Sequence, residues 1–158
     1  MQARFNVLAT TLLLATLASA QNVHPYSAFV ANWHEVKGPK SVGMSQSFED
    51  AGDGRFRLIL FPQRAPAAQT IVEGRCDGRA YPHVHGDGSP AASTFTCKLT
   101  GPRKMEYVFT QTGESNWKTS TGTQTVSADG KSLTLDAVHR DKDGKSVEIL
   151  HYDFERRD

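Results

Sequence analysis

Short segments in which apolar and polar residues alternate constrain the fold of this chain more than any other feature. After Gln21 helical periodicity is nearly absent, and the alternating segments are separated by Gly, Asp, Pro and Ser. Phe56, Leu58 and Leu60, for example, would share one face of a strand that carries arginines on its other face. About eight to ten such strands in one small domain must form a sandwich or close into a barrel, and closure removes the unpaired edges that promote aggregation. We therefore predict an all-β fold, a single antiparallel β-barrel.

The predicted strands are distributed along the whole chain and end at turn residues. They are 29–36, 41–49, 55–60, 69–75, 94–99, 105–109, 117–126, 133–137 and 147–152. Asp143-Gly144 is a strong hairpin signal, and Asp141 to Gly144 lacks the further acids of a calcium loop. The one long irregular stretch is Ala80–Ala92, which contains several glycines and prolines.

The first twenty residues have the pattern of a secretory signal peptide. Arg4 supplies a positive charge, an apolar stretch runs from Phe5 to Leu17, and Ala18-Ser19-Ala20 is a small-residue cleavage site. The expected organisation is a cleaved signal peptide at 1–20 and one barrel domain at 21–158, in a periplasmic or secreted protein. Residue 21 is Gln rather than Cys, which argues against a lipid anchor.

Charge and hydropathy exclude several classes of partner. The chain has 18 Lys and Arg and 17 Asp and Glu, so removal of Arg4 leaves 17 basic residues against 17 acidic ones. This balance, without any run of like charges, gives no electrostatic support for a nucleic-acid or anionic-membrane partner. No later segment approaches the roughly 20 apolar residues of a membrane span. We expect a monomer.

Cys76 and Cys97 are the two cysteines of the chain. In an exported protein they are expected to form a disulfide, which chain-entropy reasoning values at about 3 kcal/mol. A pair of free reactive thiols is the alternative, whereas their spacing does not suit a zinc knuckle.

Several segments resemble a group of small exported bacterial proteins with lipocalin-like barrels, mostly of unassigned function. The C-terminal third reads Val126-Ser-Ala-Asp-Gly-Lys-Ser-Leu-Thr-Leu, then Asp143-Gly-Lys and His151-Tyr-Asp, where the group has V-S-x-D-G-K-T-L-T-x, D-x-x-G-K and V-Y-D-R. Asp77-Gly-Arg-Ala-Tyr-Pro resembles the group's D-G-[KR]-x-Y-P, and Ala31-Asn-Trp resembles its initial G-T-W. The resemblance implies a lipocalin-like barrel. The alanine at 31, the histidines after Pro82 and the two cysteines depart from the group pattern.

The resemblance also implies a structural pair that closes the barrel. In lipocalin-type barrels a tryptophan near the first strand packs against an arginine after the last one, and Trp33 and Arg156 occupy the corresponding positions. A guanidinium over an indole face is a cation–π contact, so the implied role is structural.

His83 and His85 are the sharpest chemical candidates. An i, i+2 pair in an extended segment directs both imidazoles to one side, a spacing that suits a metal. The neighbouring loop formers predict an exposed pair. The further ligands would come from a set of other residues: Asp87, His24, His34, His139 and His151. The alternative is an ordinary polar loop.

An interior cavity is the other candidate site, since small barrels either fill with side chains or hold one small ligand. The candidate lining residues are Phe56, Leu58, Leu60, Phe95, Tyr107, Phe109, Leu133 and Leu135, and Leu99, Met105, Val147 and Ile149 are also expected inside. The alternative is that these residues simply pack the core. No nucleophile motif such as G-x-S-x-G is present, so we expect neither an enzyme nor a cofactor.

Three functions follow from these features. The first is an exported, non-enzymatic binding protein whose barrel holds a small apolar or amphipathic ligand. The second is an interaction or inhibitor module that contacts another exported protein through its loops, particularly Ala80–Ala92. The third is weak metal binding through His83 and His85.

Overall fold

A computed structural model describes residues 24–39 and 43–157, and the predicted signal peptide at 1–20 lies outside the described residues. Ten strands make up the fold. They are β1 (Ala31–Lys37), β2 (Met44–Gly52), β3 (Arg55–Pro62), β4 (Thr70–Gly74), β5 (Asp77–His85), β6 (Pro90–Gly101), β7 (Lys104–Gln111), β8 (Thr119–Val126), β9 (Ser132–Arg140) and β10 (Ser146–Arg157).

The strands form a closed antiparallel barrel in which neighbours along the chain are neighbours in the sheet. Closure comes from β1, which pairs with β2 on one side and with β10 on the other. The predicted fold class is therefore confirmed. Within the described residues, no helix has the length and hydrophobicity needed to cross a bilayer.

Side-chain alternation directs one face of each strand into the barrel. In β3, Phe56 and Leu58 are fully buried while Arg55 is exposed. The preceding turn matches the twist of its strands because Asp53 and Gly54 both adopt positive φ, 51° and 69°. Local sequence and tertiary burial thus specify the same register.

An aromatic plug closes one end of the barrel. Tyr26 and Phe29 precede β1 and are buried against Phe48. The Tyr26 hydroxyl donates to the carbonyl of Gly54 at 3.0 Å, and the backbone N–H of Cys76 donates to that hydroxyl at 3.0 Å. These bonds join the segment that precedes β1 to two hairpin ends, and we call this end of the barrel the closed end.

A disulfide between Cys76 and Cys97 lies near the closed end, as the sequence predicts. Cys97 is buried on the inner face of β6, and the Cys76 sulfur lies 3.4 Å from the sulfur of Met105. The bridge ties the connection between β4 and β5 to the middle of β6.

The prediction that Ala80–Ala92 is irregular is wrong. It contains the end of β5 and the start of β6, joined by a short turn at 86–89. Pro82 is tolerated in β5 because the ladder is irregular between Pro82 and Val84, where the missing N–H costs little. An interaction module that acts through this stretch would therefore present the turn at 86–89 and the exposed residues of the two strands beside it.

The predicted inward position of Val147 and Ile149 is also wrong. Ile149 is 80 % exposed and Val147 48 % exposed, while Leu150 and Phe154 are buried. A register shift between Ser146 and Glu148 sets this phase. The sequence of β10 carries apolar residues in both phases, so alternation alone does not decide which set points inward.

Removal of the disulfide is expected to destabilise the barrel. The bridge spans 21 residues, so the Cys76→Ala/Cys97→Ala variant should lose about 3 kcal/mol of unfolding free energy through the greater entropy of its unfolded chain. Urea unfolding followed by circular dichroism measures the loss. Reduction of the parent protein is the matched comparison, and an unchanged unfolding midpoint in both would contradict the expectation.

Candidate functional site

A cavity of about 190 Å³ lies inside the half of the barrel opposite the closed end. In β3, Leu58 and Leu60 line it while Phe56 does not, and in β9 Leu135 lines it while Leu133 does not. The full lining is Met44, Ser45, Gln46, Leu58, Leu60, Phe95, Tyr107, Phe109, Trp117, Ser120, Gln124, Leu135, His139, Leu150, Tyr152 and Phe154. The aromatic residues of the closed end are almost completely buried, whereas this half has room for a small molecule.

The sequence candidates for the cavity divide between these two halves. The ones that line the space are Leu58, Leu60, Phe95, Tyr107, Phe109 and Leu135. Phe56 and Leu133 are fully buried in the packed half, beside Met105. Their role there is core packing.

Two glutamine side chains bridge the interior at the boundary between the halves. Gln46 of β2 and Gln124 of β8 come from strands four positions apart around the barrel. Each amide nitrogen donates to the other's oxygen, at 3.4 and 3.3 Å, and both residues are buried. The cavity therefore has a polar floor within an otherwise largely apolar lining.

An aromatic stack lies on one wall of the cavity. The rings of Trp117 and His139 are 4.3 Å apart and inclined by only 17°. The Nδ1 atom of His139 lies 3.3 Å from a carboxylate oxygen of Glu148. The two rings are within 17° of parallel, so this wall presents a flat aromatic surface.

Tyr107 contributes a neutral phenol to the lining. Burial raises the pKa of Tyr107 to about 12. Its ring fits because the facing residue of β8 is Gly122, where a Cβ would lie 2.7 Å from the Tyr107 hydroxyl oxygen. A larger residue at 122 would push the phenol out of this position.

His83 is buried, contrary to the predicted exposure, while His85 is exposed. The His83 ring lies 4.6 Å from that of Phe109, and its Nδ1 is 3.1 Å from the hydroxyl oxygen of Ser93. Its Nε2 has no partner among the described residues, and burial lowers the pKa of His83 to about 4. The imidazole is thus a neutral part of the core beside the cavity.

Metal binding through His83 and His85 stays a prediction. The two side chains share the inner face of β5, opposite Val72 and Thr70 of β4. Across residues 24–39 and 43–157, no three His, Cys, Asp or Glu side chains gather closely enough to hold a metal ion.

The two residues predicted to close the barrel occupy facing positions on neighbouring strands. Trp33 of β1 lies opposite Arg156 of β10, and opposed residues in an antiparallel pair point to the same side of the sheet. Trp33 is fully buried, and its indole N–H donates to the carbonyl of Phe29 at 2.8 Å. The cation–π contact between Trp33 and Arg156 remains a prediction.

A second, larger concavity of about 720 Å³ lies across β6 to β10 on the outside of the barrel. Ile149 and His151 line it, and both alternate with the inward residues of β10. The interior cavity is the better candidate site, because its aromatic lining and its polar floor converge on one concave space inside the barrel.

Sequence reasoning missed the polar floor. Val126 is apolar and ends β8, so a period of two places Gln124, Gly122 and Ser120 on the same inner face. The outward positions of β8 are all threonine. Because threonine is neither clearly apolar nor clearly polar, this row did not indicate which face of the strand points inward. Extending the alternation backward from Val126 would have identified the inward amide.

No protein family model matches this chain, and no curated protein matches it. Solved structures do match. Fatty-acid-binding protein 1 of Echinococcus granulosus aligns with a TM-score of 0.60 at 11 % identity, covering 84 % of this chain and 99 % of that one. The wild-type fluorescent protein UnaG aligns with a TM-score of 0.57 at 14 % identity, covering 84 % of this chain and 99 % of its own. At this identity the likeness establishes a shared ten-stranded barrel fold.

Burial of His83 is expected to make stability depend on pH. Its folded pKa of about 4 lies below the unfolded value of 6.5, so the unfolded chain binds the proton more readily between these values. The free energy of unfolding therefore keeps its full value above pH 6.5 and falls by about 3 kcal/mol as the pH decreases towards 4. Urea unfolding at pH 7 and pH 4 should show this loss in the parent and a correspondingly smaller one in His83→Leu. His85→Leu is the control for histidine replacement, and equal losses in all three proteins would refute the assignment.

Proposed function

We propose that this chain is a non-catalytic binding protein whose barrel holds one small, largely apolar molecule. The observation that carries the proposal is the interior cavity of about 190 Å³, which is partly open to solvent. Leucine and aromatic side chains dominate its walls, and a few polar groups converge on it, as in pockets for small ligands. A barrel of the same fold is named as a fatty-acid-binding protein, which supports this class of function.

The size of the cavity limits what it can accept without rearrangement. Pockets for drug-sized ligands are roughly 300–1,000 Å³, whereas an apolar cavity of about 150 Å³ in another protein binds benzene. A space of about 190 Å³ suits a single substituted ring or a short chain. Burial of the ligand's apolar surface would supply most of the affinity.

The chain is further proposed to act outside the cytoplasm, after removal of residues 1–20. The small-residue site at Ala18-Ser19-Ala20 and the disulfide between Cys76 and Cys97 support export. Intact mass and N-terminal sequencing of the protein from an expressing bacterial culture test this. A periplasmic or secreted product that begins at Gln21 is expected, and an uncut cytoplasmic product would contradict export.

Binding in the cavity is testable with ethylbenzene as a probe. Two-dimensional amide NMR of the parent should show saturable shifts at residues that line the cavity. Leu135→Trp, which fills the cavity, should weaken binding by about tenfold or more, because the ligand's volume is taken by the indole. Leu60→Phe is a milder filling variant from another wall.

Ile149→Trp is the matched control, since residue 149 is on the outer face. It should bind ethylbenzene like the parent. Shifts that map to the outer face, or an affinity that both filling variants leave unchanged, would contradict the proposed site.

A further inference from the structure

We propose that the ligand of the interior cavity is an uncharged single-ring compound with an amide-type polar edge, and not a fatty-acid anion. This rests on the proposed binding function and adds the chemistry of the ligand. Three observations carry it: the charges near the cavity, the hydrogen-bonding capacity of the glutamine pair, and the flat aromatic walls.

The charges near the cavity disfavour an anion. Among the described residues that line it there is no lysine or arginine. The one imidazole in the lining, His139, already lies 3.3 Å from the Glu148 carboxylate. A carboxylate that entered this space would lose its hydration without gaining a counter-charge, and it would approach Glu148. An uncharged ligand avoids both costs.

The glutamine pair offers unused hydrogen-bonding groups to the cavity. Each amide has two N–H donors and two oxygen lone pairs. The reciprocal bonds between Gln46 and Gln124 use one of each, which leaves a second donor and a second acceptor on each side chain. A ligand that presents a donor beside an acceptor, as an amide or lactam does, can bind both kinds of group at once.

The geometry of the pair also permits insertion of a third polar edge. The two bonds measure 3.4 and 3.3 Å, beyond the usual range of about 2.7–3.2 Å for N–H···O bonds. They are therefore weak, although both residues are almost completely buried. A ligand amide that inserts between the two side chains would replace these long bonds with shorter ones. It would therefore lose less binding free energy than a ligand that had to break bonds of optimal length.

The walls favour a planar ligand body. Phe109 and Trp117 lie with their ring centroids 5.6 Å apart, and Phe95 and Tyr107 stack at 5.7 Å. All four line the cavity. Aromatic rings pack on such walls through offset-stacked or edge-to-face contacts. The volume of about 190 Å³ accommodates a ring with a small substituent, whereas a long acyl chain exceeds it.

Three probes of nine non-hydrogen atoms test the proposal: benzamide, benzoate and α-methylstyrene. They share a phenyl ring and a planar three-atom substituent, and they differ in having an amide edge, a negative charge or neither. Calorimetry and amide NMR measure their affinities for the parent protein at neutral pH. Benzamide should bind at least about tenfold tighter than benzoate, the ratio expected from one unpaired buried charge or lost hydrogen bond.

Gln46→Met/Gln124→Met removes both amides with little change in side-chain volume. It should weaken benzamide by about tenfold or more and change α-methylstyrene by less than about twofold. Gln124→Met alone should weaken benzamide about threefold, which keeps the test available if the double variant does not fold. Gln69→Met is the matched control, since Gln69 lies beside the Gly86 turn and does not line the cavity.

The outcomes separate this proposal from the binding function itself. Benzoate binding as tightly as benzamide would overturn the assignment of an uncharged ligand. An unchanged benzamide affinity in both glutamine variants would overturn the polar edge. If α-methylstyrene binds in the cavity and benzamide does not, this proposal fails while the binding function stands. If none of the three probes binds, both fail.

Discussion

The pairing of β1 with β10 is the interaction on which the rest of the structure depends. Without it the ten strands would form an open meander with two exposed edges and no enclosed interior. Trp33 of β1 lies within this pairing. Its side chain is fully buried, and its indole N–H donates to the carbonyl of Phe29. Closure then gives every strand an inner and an outer face, and it allows polar groups such as Gln46 and Gln124 to meet away from bulk water.

The interior has two halves with different physical roles. At the closed end, Tyr26 and Phe29 pack against Phe48 in the buried core, and the disulfide adds a covalent constraint. The opposite half contains the cavity, and its lining includes polar groups such as the bonded amides of Gln46 and Gln124.

The sequence predicted the barrel and most strands because strict alternation and turn residues are local signals. Phe56 and Leu58 faced inward as expected. Prediction failed where the pattern was ambiguous: β10 carries apolar residues in both phases, so Ile149 and Leu150 exchanged their expected sides. The division between packed core and cavity wall depends on how far each inward residue lies from the plug, which alternation does not encode.

Gly122 shows how a single missing side chain shapes the wall of the cavity. Tyr107 occupies the space that a Cβ would need, and Ser120 and Gln124 follow the same inner row of β8. One end of this strand belongs to the packed half through Val126, and the other faces the cavity. This strand therefore supports the packed core at one end and shapes the cavity at the other. Substitutions at well-separated sites usually act independently, so residues of the cavity wall can vary during evolution while the plug stays intact.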